Sequence, residues 1–68
     1  MEFLIYEQSE HRQEIKEVTP KQLYHWVNNT SYTYVKKYEI NAFGQNAKLG
    51  QSIMSDFEYG YLIVTRIR

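Results

Sequence analysis

Few side chains in this sequence can do chemistry. His11 and His25 are the only histidines, Asp56 is the only aspartate, and there is no cysteine. A nucleophilic triad would need Ser, His and Asp to converge in space, and any chain of this size contains those letters. Glu7, Glu10, His11 and Glu14 would share one face of a helix and offer oxygen and imidazole donors to a metal ion. The same run reads more simply as a solvated charged segment. "GQNAKLG", residues 44–50, superficially resembles a phosphate-binding loop. Its glycines are spaced one residue too widely and no Gly-Lys-Ser/Thr follows, so the backbone cradle and its lysine are missing. We therefore expect no enzyme, no cofactor and no metal.

The tyrosines offer more. "SYTYVKKYEINAFG", residues 31–44, reads as a strand rich in Tyr, Val, Thr and Ile. Alternation places Tyr32, Tyr34, Lys36, Tyr38 and Ile40 on one side of it. Tyr32, Tyr34, Lys36, Lys37 and Tyr38, with Arg66 and Arg68 as rim charges, are the expected partner-binding residues. Large amphipathic rings are favoured where one end packs and the other stays wet. The same set could stack bases and track phosphates of a single-stranded nucleic acid. Eight basic residues balance eight acidic ones, however, so the usual basic footprint of a nucleic-acid binder is absent.

The elements that must hold these residues are partly legible. In "VTPKQLYHWVNN", residues 18–29, Thr19 stands where an N-cap belongs and Pro20 follows at the first helical position. Gln22 completes a Thr-x-x-Gln capping box, and Val18 and Leu23 form a hydrophobic staple. The spacing predicts a helix over 20–28, with Leu23, Trp26 and Val27 turned inward and His25 turned out. "TPKQLYHWV" resembles the first helix of many helix-turn-helix modules. That likeness implies a DNA-binding recognition helix in "TSYTYVKKYE", a stretch of poor helix formers with no glycine at the turn.

"MEFLIYEQ" has apolar residues on both faces, and "FEYGYLIVTRIR" reads as a strand at the centre of a sheet. "QEIKEV" is a weaker strand, and the conformations of residues 9–17 and 45–56 stay open. The expectation is one small α+β domain over 1–68, with three or four mostly antiparallel strands and one short helix on a face. Its core should include Phe3, Ile5, Leu23, Trp26, Val27, Ile40, Tyr61, Ile63 and Val64.

Sixty-eight residues bury only about 60% of the unfolded surface, so packing, self-association or a partner must supplement the core. No long apolar run or basic leader is visible, so the expected place is the cytoplasm, away from membranes. The Asn-, Tyr-, Lys- and Ile-rich usage is similar to that of small proteins from phages or mobile elements of AT-rich bacteria. That resemblance implies a non-enzymatic module that binds and modulates, as an inhibitor, a host protein. A homodimer or homo-oligomeric structural subunit and a small nucleic-acid-binding domain are the competing expectations.

Overall fold

Hydrophobic alternation over the first residues sets the centre of the sheet. In the computed structural model, which describes residues 1–68, Phe3, Ile5 and Glu7 are buried while Leu4, Tyr6 and Gln8 are half-buried. The elements run β1 (Phe3–Ser9), β2 (Gln13–Val18), α1 (Pro20–Asn29), α2 (Lys37–Asn46), β3 (Ser52–Phe57) and β4 (Gly60–Arg66). All pairings are antiparallel, in the order β2-β1-β4-β3, so the first and last strands lie side by side in the middle. This is the small α+β fold expected, with a second helix added. No helix is long and apolar enough to cross a membrane.

Helix α1 begins as its cap signals require. The Gln22 amide donates to Thr19 Oγ1 at 3.2 Å, and the Thr19 amide donates to Gln22 Oε1 at 2.9 Å. Two orphan donors are thereby satisfied, and Leu23 and Val27 dock in the core. Trp26 is half-buried against that core, and His25 faces out.

The strand expected over 31–44 is not formed. The chain instead turns at Thr33–Tyr34 and enters α2 at Lys37. Ile40, Phe43 and Ala47 recur at helical spacing, and Ile40 and Ala47 are fully or nearly buried. Tyr-Thr-Tyr-Val favours strand locally, but the apolar period from residue 40 onward is that of a helix, and tertiary packing decides. Gly44, the last residue of the expected strand, lies inside α2 where that helix meets α1: a Cβ there would stand 3.2 Å from Leu23 Cδ2. The connection over 30–36 is longer than the turn of about 3–4 residues that joins the helices of a helix-turn-helix.

The last strand is also corrected. "FEYGYLIVTRIR" is broken by a hairpin at Glu58–Tyr59, so Phe57 ends β3 and Gly60 opens β4. Phase is lost across the turn. Leu62 and Val64 therefore face the helices, while Tyr61 and Ile63, expected in the core, lie on the opposite face. Residues 52–56, whose conformation the sequence leaves open, join Phe57 in the edge strand β3. Gly60 is required by close approach, because a Cβ would come within 2.2 Å of the Gln8 carbonyl oxygen.

The helices cover one face only. On the other, the register aligns Ile15, Tyr6, Ile63 and Met54 in one row across all four strands.

Candidate functional site

The site is built at the end of the sheet where three connections meet: the β1–β2 hairpin, the α1–α2 connection and the β3–β4 hairpin. Tyr32 leads the second of these inward. Its ring stacks on Phe57 with centroids 4.1 Å apart and planes 4° from parallel, and meets Trp26 edge-on at 6.4 Å. Arg12, from the first hairpin, donates from Nη2 to the Tyr32 hydroxyl at 3.2 Å and pairs with Glu14 at 3.3 Å. Thr33 Oγ1 donates to Glu58 Oε2 at 3.1 Å, tying the connection to the last hairpin. A groove of about 520 Å³ opens between them, lined by His11, Arg12, Tyr32, Thr33, Phe57 and Tyr59 among others.

Burial and the neighbouring Glu7 carboxylate raise the Tyr32 phenol above its ordinary pKa, with the Arg12 guanidinium pulling the other way. The hydrogen bond that Arg12 donates to the Tyr32 oxygen, and then the neighbouring Glu14 carboxylate, raise the Arg12 guanidinium in turn. The phenol thus stays neutral and the guanidinium charged at ordinary pH.

Two further tyrosines stand at this end in an uncommon backbone conformation. Tyr34 has φ 70° and Tyr59 φ 72°, and their residues are 80% and 72% exposed. The third left-handed residue of the chain is a glycine, Gly50, at φ 84°.

On the far side of the Arg12–Tyr32 contact lies a second cavity, of about 490 Å³. It is lined by Glu7, Lys16, Trp26, Asn29 and both members of that contact, among others. Glu7 and Glu14 face each other across β1 and β2, and Glu10 and His11 sit in the hairpin loop, so the helical face that would gather these four is not formed.

The seven residues expected to bind a partner do not share a surface. Tyr32 is packed at the groove, and Tyr34 stands exposed two residues on. The Lys36 amide donates to Ser55 Oγ at 2.9 Å, and Lys36, Lys37 and Tyr38 are exposed where α2 begins. Arg66 and Arg68 lie at the other end of β4, about 20 Å from the groove at 3.3 Å per residue. Both are engaged within the chain. Arg66 donates to the Ala47 carbonyl at 2.8 Å, and Arg68 bonds Glu2 at 2.9 Å and Glu17 at 3.1 Å. Sequence reasoning did not single out Arg12, Phe57, Tyr59 or Trp26 for the candidate site, and it weighed Glu7 only as a metal donor. The one available signal was the Tyr59-Gly60 pair, a turn mark inside an otherwise continuous strand pattern.

No family model, curated protein or solved structure matches this chain.

Proposed function

We propose that the chain is a non-enzymatic binding module that docks on another protein through the end of the sheet where Tyr34 and Tyr59 stand. The observation that carries this reading is the pair of exposed tyrosines in left-handed backbone. A side chain in that region costs on the order of 1 kcal/mol or more, and such strain is tolerated chiefly where function needs it. Glycine relieves it, and the chain uses glycine at Gly50. Beside these rings lies a groove with an aromatic floor and an arginine, the residue types that dominate binding hot spots. A host protein whose surface the module occupies is the partner in keeping with the composition.

A second reading has one observation in its favour. Tyr6 and Tyr61 lie together on the uncovered sheet face, with ring centroids 6.3 Å apart, as a stacking platform for single-stranded nucleic acid requires. The charged strand residues of that face are Glu17 and Asp56, which repel phosphate.

Affinity capture from lysate, with and without nuclease and over a salt series, separates the two. The protein-docking reading expects retained protein that survives nuclease and changes little with salt, and that is lost on Tyr34→Ala with Tyr59→Ala. Recovery that collapses with nuclease and falls steeply with salt moves the assignment to the Tyr6–Tyr61 face.

A further inference from the structure

Glu7 sits on the helix-covered face of the central strand β1, its side chain only 5% exposed. Its Oε2 is buried and has no hydrogen-bond partner. A buried carboxylate oxygen left in this way is costly and calls for a donor or a cation. Arg12 does not supply the need, since it is engaged by Glu14 and Tyr32. The Tyr32 hydroxyl is close enough to hydrogen-bond the carboxylate, which helps raise the phenol's own pKa, and it is Oε2 that lacks a donor within hydrogen-bond distance.

The cation that does approach is Lys16, from the edge strand β2. Its Nζ stands 3.6 Å from Glu7 Oε2, close enough for an ion pair and too far for a good hydrogen bond. The same ammonium lies 5.3 Å from the centroid of the Trp26 ring, within the range where an aromatic face attracts a cation. The fold therefore holds an ammonium between a buried carboxylate and an indole face, beside an open cavity of about 490 Å³.

We propose that this cavity binds an organic cation, a primary ammonium or a guanidinium, which takes the position of the Lys16 ammonium and gives Glu7 the hydrogen bonds it lacks. Lys16 is the resident stand-in. Its side chain is 33% exposed on an edge strand, so it can release its head to water while its stem stays packed. A guanidinium brings planar paired donors that suit a carboxylate, and it stacks on an aromatic face. This inference goes beyond the protein-docking reading and does not depend on it, because the cation can be a free amine or the side chain of a bound protein.

Trp26 is the only tryptophan, so its emission reports the site directly. The probes are methylguanidinium, n-butylammonium, and an end-capped peptide carrying one arginine, with sodium acetate as the anionic control. The folded chain is expected to give a saturable change with the cations and none with acetate. Lys16→Met removes the competing ammonium but keeps the stem, and should tighten binding about tenfold. Glu7→Gln, with its fold verified by circular dichroism, should abolish the response. Tighter binding of the peptide than of the free cations assigns the source to a protein side chain, and the reverse to a small amine. The proposal is overturned if neither the natural chain nor folded Lys16→Met gives a saturable response, or if Glu7→Gln responds unchanged. Loss of partner capture at Tyr34 and Tyr59 leaves this readout untouched, so the two readings can fail separately.

Discussion

Tyr32 shows how much one side chain can connect. It stacks on Phe57 from β3, meets Trp26 from α1 and accepts from Arg12 in the first hairpin, so a loop residue ties three elements together. Its pH behaviour follows from that position. Burial and Glu7 raise its pKa above the ordinary 10.0, so the folded state binds the phenolic proton more tightly than the unfolded chain does. The stabilisation is complete below pH 10 and is lost as pH rises through the raised value. Tyr32→Phe keeps the stack and cannot titrate. Urea midpoints measured across about pH 9–11.5 should therefore fall less steeply in this variant than in the natural chain. Equal slopes would show that the Tyr32 proton is not linked to folding. None of this was legible in the sequence, where Tyr32 counted only as one aromatic on an alternating strand. Its partners come from positions 12, 26 and 57, and nothing local announces them.

At the scale of elements, legibility followed how local the signal is. The α1 start was readable because its cap, staple and proline all lie within a few residues of each other. Helix α2 was not, because strand propensity in Tyr32–Val35 runs directly into a helix whose apolar positions are set by packing on the sheet. The β3–β4 hairpin was obscured in a similar way. Tyr59 occupies a left-handed position usually given to glycine, and without that mark the two strands read as one. The two glycines that do punctuate these elements differ in what they must avoid. Gly60→Ala forces a Cβ against the Gln8 carbonyl of the neighbouring strand, a backbone atom that moves only if the β1–β4 pairing opens. It should cost about 2–3 kcal/mol or more. Gly44→Ala meets only the end of the Leu23 side chain, and a gain in helix propensity of about 1 kcal/mol offsets the crowding. Chemical denaturation of the two variants should rank them far apart, and equal losses would contradict this account of Gly60.

The whole molecule is small, with extents of 30 × 20 × 17 Å and a core of ten buried apolar residues. Its sheet is covered on one face only. The uncovered face that carries the row Ile15–Tyr6–Ile63–Met54 spans four strands, about 15 Å across at ~4.8 Å spacing and about 20 Å along. That is roughly 300 Å², well short of the ~800 Å² one side of a stable interface buries. Edge protection is uneven, since β2 carries Glu14, Lys16 and Glu17 while Asp56 is the only charge on β3. The fold class could be read from the sequence, but the proposed binding end could not. It is assembled from three connections far apart in the chain, and only Tyr32 and Tyr34 of the expected contact residues belong to it.

The most direct test of the account pairs stability with affinity in one variant, Tyr34→Gly with Tyr59→Gly, measured against the partner that the natural chain retains. Relief of backbone strain should raise stability by about 0.5–1 kcal/mol at each position, after allowing for the added freedom of the unfolded chain. Loss of the two rings should weaken binding by about thirtyfold or more for each that acts as a hot spot. A variant that is more stable and binds poorly is the expected result. A variant that binds as well as the natural chain, or that unfolds more easily, would contradict the claim that these tyrosines are held under strain to meet a partner.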